Sequence, residues 1–123
     1  MDAFIKSISY YLPENTYSND DLQKDFPEWT ADKVTSKVGI NIRHIASENE
    51  TALNMAVKAA EKLFLENGVD KSCIDYVLFV TQSPDYYLPT SACIIQSRLG
   101  LSVKCGAFDI NLGCSGYVYG LSV

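Results

Sequence analysis

Histidine occurs once in this 123-residue sequence, as His44, and none of the four cysteines, Cys73, Cys93, Cys105 and Cys114, forms a Cys-x-x-Cys pair. A zinc site needs several such ligands at set spacings, so metal chemistry is not expected. No apolar run approaches the roughly 20 residues that a membrane span needs. The start, Met1-Asp2-Ala3-Phe4-Ile5-Lys6, lacks the apolar stretch of a secretory leader. Free thiols without a leader make a reducing, cytoplasmic compartment the expectation. Positive charge is in deficit, with 10 Lys and Arg against 15 Asp and Glu and a net charge of -5, which argues against a nucleic-acid surface. Seven glycines and four prolines are too few for a low-complexity segment, and 47% apolar with 20% charged residues is a globular composition. The length suits one domain or a piece of one.

What is present reads as alternating helices and strands. Ile5, Ile8, Tyr10 and Leu12 are spaced for one face of a strand over residues 3–12, ended by Pro13-Glu14-Asn15. Ser18 is placed to cap a short helix with Asp20 and Asp21 in its first turn, and Thr30 to cap a second that stops at Gly39. Residues 40–46 alternate like a strand. Leu53, Ala56, Val57, Ala60, Leu63 and Phe64 form one apolar stripe of a helix from about Thr51 to Glu66, stopped by Asn67-Gly68. Tyr76-Val77-Leu78-Phe79-Val80 is apolar on both faces, the pattern of a strand buried between helix layers. A helix with Thr90 or Ser91 near its cap and a stop at Gly100 follows, then a buried strand over 105–111 and a further helix from Ser115. Helix, strand, helix, strand, helix predicts an α/β layered fold with a mixed, largely parallel sheet. The last pattern, Tyr117 to Val123, is apolar throughout, and no charged residue follows Asp109. A helix of that kind wants cover on all sides, so the expectation is a partial domain over 1–123, the first part of a longer enzyme or a truncated piece of one.

The chemistry-bearing stretch runs from Ala107 to Gly120. An apolar strand turns at Leu112-Gly113 and places Cys114 where the next helix would start. A thiol there meets unpaired backbone N–H groups and the positive end of the helix dipole, which favours the nucleophilic thiolate. Gly113, Ser115 and Gly116 are small enough to let a substrate carbonyl approach sulfur and backbone amides together. This is the layout of a nucleophile on a strand-to-helix turn. A buried structural cysteine is the alternative reading of the same spacing. Cys73, Cys93 and Cys105 read as structural.

Gly39-Ile40-Asn41-Ile42-Arg43-His44-Ile45-Ala46, Leu88-Pro89-Thr90-Ser91-Ala92-Cys93, Ile95-Gln96 and the stretch Asp109 to Gly120 fall in the order and spacing of a known family. Over nearly the whole chain the sequence resembles β-ketoacyl-acyl carrier protein synthase III, the initiating condensing enzyme of fatty-acid synthesis. The resemblance implies a thiolase-like fold of two pseudo-repeated halves in five layers, of which this chain would supply most of the first. It implies that Cys114 accepts an acyl group from acyl-CoA, which the enzyme condenses with malonyl-acyl carrier protein, losing carbon dioxide. The Cys114 N–H is the candidate oxyanion donor. No cofactor is implied, acyl-CoA being a substrate. A homodimer is implied. The family's catalytic histidine and asparagine would lie beyond residue 123, so the condensation step is not expected of this stretch alone. His44, in Arg-His-Ile-Ala, reads as structural.

Three further positions carry over as substrate-binding residues. Trp29 matches the tryptophan that stacks on the coenzyme A adenine, with a core or interface aromatic as the alternative. Lys37 matches a basic residue, usually arginine, at the coenzyme A phosphates. Lysine supplies a point charge instead of a bidentate fork, and a solvated helix face is the alternative. Leu88 matches the residue that reaches across the dimer interface into the partner's acyl pocket. Leucine in place of phenylalanine makes room for a longer or branched primer, and a plain interface leucine is the alternative. Two other functions stay open at this stage: a related thiolase-fold enzyme of secondary metabolism, and a catalytically inert or oligomerisation fragment.

Overall fold

Short polar caps and glycine stops set most of the element boundaries. The structure, a computed structural model, describes residues 3–123. The chain divides into two units, one of residues 12–50 and one of residues 51–123 together with the segment up to Tyr11.

In the 12–50 unit, Ser18 caps helix α1 (Asn19–Asp25). Its hydroxyl oxygen accepts from the Asp21 N–H at 3.1 Å, and the Asp21 carboxylate accepts from the Ser18 N–H at 3.1 Å. Thr30 caps α2 (Ala31–Val38) by accepting from the Lys33 N–H at 3.3 Å. Gly39 closes α2 at φ 71, a left-handed conformation that favours glycine. Strand β1 (Asn15–Ser18) pairs antiparallel with β2 (Ile42–Ile45), Ser18 opposite Ile42. The buried Asn19 ties helix to strand. Its amide donates to Thr35 Oγ1 and to the Ile40 carbonyl, both at 2.9 Å, and its Oδ1 accepts from Arg43 at 2.8 Å. His44 places Nδ1 2.6 Å from the Pro13 carbonyl oxygen, a backbone-holding role that agrees with its structural reading.

The strand expected over residues 3–12 is absent from the described part, residues 3–12 themselves, and Met1 and Asp2 lie outside it. Alternation defines a face, but a strand also needs a neighbouring chain to take its N–H and C=O groups. Here Phe4, Ile5, Ile8, Tyr10 and Leu12 all stand exposed, and lysine ammonium groups cover two rings: Lys62 lies 4.7 Å from the Tyr10 ring centre and Lys58 4.3 Å from that of Tyr11. The true first strand, Asn-Thr-Tyr-Ser, has no apolar alternation and was not expected.

In the 51–123 unit, the Thr51 side chain accepts from the Asn54 N–H at 3.2 Å and starts α3 (Ala52–Asn67). A 3-10 turn at Lys71–Cys73 leads to β3 (Tyr76–Val80), which runs parallel to β4 (Gly106–Ile110) with α4 (Ser91–Arg98) as the crossover. The core is Leu53, Val57, Ile95, Leu99, Leu101 and Cys105, with Val77 and Phe79 of β3 packed on it. Leu53 is 1% exposed, and full burial of a leucine contributes about 1.5–3 kcal/mol. Leu78 and Val80 point to the opposite face, where α5 (Gly116–Ser122) lies. The expected burial of β3 on both faces is incomplete: Tyr76 is exposed and the other four residues are half-buried, because a seven-residue helix covers only part of one face.

Candidate functional site

Strand β4 ends at Ile110, and Asn111-Leu112-Gly113 makes the turn that delivers Cys114. The Leu112 N–H donates to the Ile110 carbonyl at 3.0 Å, and the Gly116 N–H to the Gly113 carbonyl at 2.8 Å. The turn lies tight against the end of β3 because three side chains are missing. A Cβ on Gly113 would stand 2.9 Å from Gln82 Oε1, one on Gly116 2.4 Å from Val80 Cγ1, and one on Gly120 3.2 Å from Val80 Cγ2. Cys114 precedes the cap residue Ser115 by one position, so it stands just outside α5 and not at its first turn.

The Cys114 side chain is exposed. It borders a hollow of about 580 Å³ whose walls include Leu78, Val80, Tyr117 and Leu121. Among the described residues its N–H has no hydrogen-bond partner. The other cysteines differ. Cys105 is buried, and that burial, followed by the charge of Asp75, pushes its thiol up and keeps it protonated. The Cys93 sulfur accepts from the Thr90 hydroxyl at 3.3 Å and lies 3.7 Å from the Ala107 carbonyl oxygen. Cys73 is exposed in the 3-10 turn.

Trp29 and Lys37 come together in the 12–50 unit. With Leu22, Phe26, Val34 and Val38 they line a separate hollow of about 350 Å³. Trp29 is half covered, and Lys37 borders the same hollow. The sequence reading missed Lys33, whose ammonium sits 4.6 Å from the Trp29 ring centre. Trp29 precedes the Thr30 cap and stands outside α2, so helical spacing carried no signal for this contact.

Leu88 does not line the Cys114 hollow. It is 83% exposed, on the loop between β3 and α4, next to the exposed Tyr86 and Tyr87, and the Leu88–Pro89 peptide is cis. The same loop and Gln82 share a further hollow with Asn111. Gln82, pressed on Gly113, was also missed. A single carboxamide in a loop carries no periodic signal.

No protein-family model matches the chain. Curated proteins do, over nearly its full length. The chain is similar to proteins named β-ketoacyl-acyl carrier protein synthase III. It is 39% identical over 123 residues to that protein of Neisseria meningitidis, covering 98% of this chain and 37% of the relative. It is 43% identical over 120 residues to that of Campylobacter jejuni, covering 97% and 36%. A crystal structure of a 3-oxoacyl-acyl carrier protein synthase III superposes with a TM-score of 0.90 at 51% identity, covering 96% of this chain and 35% of the other. The chain therefore has the thiolase-type α/β fold of these synthases and spans little more than a third of their length.

Proposed function

We propose that the chain carries the acyl-accepting part of a β-ketoacyl-acyl carrier protein synthase III that initiates fatty-acid synthesis. The observation that supports this best is Cys114, an exposed thiol on a glycine-lined turn, beside an apolar hollow suited to an acyl chain. The Cys114 thiolate attacks the carbonyl carbon of acyl-CoA. The unpartnered Cys114 N–H donates to the oxygen on which negative charge develops. Collapse of the tetrahedral species breaks the bond from carbon to the coenzyme A sulfur. Coenzyme A leaves as a thiol, with the proton that the cysteine gave up, and the acyl group stays on Cys114 as a thioester. In the whole enzyme, malonyl-acyl carrier protein then loses carbon dioxide. The resulting enolate carbon attacks the acyl thioester, and the Cys114 thiolate is released.

Trp29 and Lys37 hold the coenzyme A nucleotide in this reading, the indole by stacking and the ammonium by charge. Leu88 reaches the acyl pocket of a partner subunit in a homodimer. Residues 1–123 form a partial domain of a cytoplasmic enzyme, and no described helix is long and apolar enough to cross a membrane.

The test is intact-mass analysis after incubation with acetyl-CoA. An adduct of one acetyl group on Cys114, absent from Cys114→Ala, is the expected outcome. An unmodified wild-type chain whose thiol still reacts with iodoacetamide would sink the assignment.

A further inference from the structure

Asp109 is the charged residue nearest the Cys114 turn in β4, and its carboxylate serves another element. Oδ2 accepts from the Ser91 N–H at 2.8 Å, and Oδ1 from the Ala92 N–H at 2.7 Å. These are the first two residues of α4, and both are 0% exposed. The first amides of a helix have no partner within it, and water does not reach these two. Thr90, in the cap position, makes no side-chain bond to the helix backbone. The head of α4 is therefore capped by a carboxylate 18 residues along the chain from Ser91.

The loop between β3 and α4 is thereby tied down at both ends to successive residues of β4. It leaves β3 where the Thr81 N–H donates to the Ile110 carbonyl at 3.1 Å. It enters α4 where Ser91 and Ala92 bond to Asp109. That loop carries Gln82, which lies on Gly113, and Leu88. The Cys114 turn leaves the same strand end. The Asp109 side chain thus fixes one of the two ends of the loop beside the Cys114 turn.

We infer that Asp109 is a positioning residue for acyl transfer at Cys114, acting by clamping the 81–90 loop against the Cys114 turn. The inference rests on the proposed role of Cys114. Asp109 need not touch the acyl group.

Three variants separate positioning from general stability. Asp109→Ala removes both acceptors, Asp109→Asn keeps one, and Asp70→Ala removes the side-chain cap of the Lys71–Cys73 turn, away from the 81–90 loop, as a loss elsewhere in the same unit. Each is held well below its melting midpoint. Two rates are followed by mass: acylation of Cys114 by acetyl-CoA, which needs the right geometry, and alkylation by iodoacetamide, which needs only an accessible thiol. Acylation of Asp109→Ala is expected to fall about tenfold or more, with alkylation unchanged. Asp109→Asn is expected to fall between, and Asp70→Ala to keep both rates. Acylation of Asp109→Ala within about twofold of wild type, or an equal fall in Asp70→Ala, overturns the inference. If Asp109→Ala does not fold, Asp109→Asn is judged by the same limit. A wild-type chain that is alkylated but not acylated removes the Cys114 reading itself, and this inference with it.

Discussion

Trp29 is the sole tryptophan of the chain, so its fluorescence reports on one hollow. Lys33 already lies over the indole at 4.6 Å, which leaves the other ring face for a flat ligand. If that hollow takes the coenzyme A nucleotide, adding coenzyme A quenches Trp29 emission. Lys37→Ala then weakens the titration about tenfold, the scale of one lost hydrogen bond to a charged group. Emission that ignores coenzyme A would assign Trp29 to packing alone. A second residue-level expectation concerns pH. The Lys24 ammonium at 2.8 Å, followed by the Ser18 hydroxyl and N–H, holds the Asp21 carboxyl well below the usual carboxylate range. A folded value below the unfolded one means stability that is present above about pH 4 and lost as acid protonates the group. The melting temperature of wild type should therefore exceed that of Asp21→Asn near neutral pH, and the gap should close on acidification towards pH about 2. A gap that is constant with pH would show that the carboxylate charge contributes nothing to holding α1.

At the level of elements, the helices were legible because their signals are local. Ser18, Thr30 and Thr51 each accept a backbone N–H at a helix start; Ser18 and Thr30 are visible as hydroxyls before acidic first turns, and Thr51 as the point where the apolar stripe of α3 begins. The parallel strands β3 and β4 were legible as apolar runs. β1 was not, because its four residues gain strand geometry only from pairing with β2. The α5 helix shows a different dependence. Its close seat on β3 needs hydrogen, not a methyl group, at Gly116, since a Cβ there would stand 2.4 Å from Val80 Cγ1. Gly116→Ala is expected to lower stability by about 1–3 kcal/mol through overpacking, read by denaturant unfolding, and to slow Cys114 acylation as the turn moves. Val80→Ala combined with it should recover part of both losses. Failure of the double variant to recover either would place the strain elsewhere.

Across the whole chain, large apolar side chains remain uncovered in the 51–123 unit, among them Leu65, Tyr87, Leu88 and Val103, and Tyr117 to Tyr119 and Leu121 on α5. Contiguous exposed apolar surface drives association, and the two-stranded parallel sheet keeps open edges. The 123-residue chain is expected to bind a hydrophobic dye such as ANS and to gain average mass by light scattering as concentration rises. A concentration-independent monomer that binds no dye and melts cooperatively would contradict this.

The candidate site divides in the same way as the fold. The exposed thiol of the proposed site was legible at Cys114 because a cysteine between Gly113 and Ser115-Gly116, after an apolar run, is a contiguous pattern. Trp29, Lys37 and Leu88 were placed by resemblance, and only coordinates put Trp29 and Lys37 on one hollow and left Leu88 outside that of Cys114. Asp109 read as one more strand residue. Its clamp on Ser91 and Ala92 joins residues 17 and 18 positions apart, and so does not exist until α4 folds back on the sheet. The sequence by itself determined the starts of α1, α2 and α3, the α/β order and the position of the thiol, since each depends on neighbours within about one helical turn or one strand. The tertiary structure alone decided which apolar faces were covered, that residues 3–12 form no strand, and how the loop and the Cys114 turn are held together. Those outcomes depend on partners that are distant in sequence, and local propensity carries no information about them.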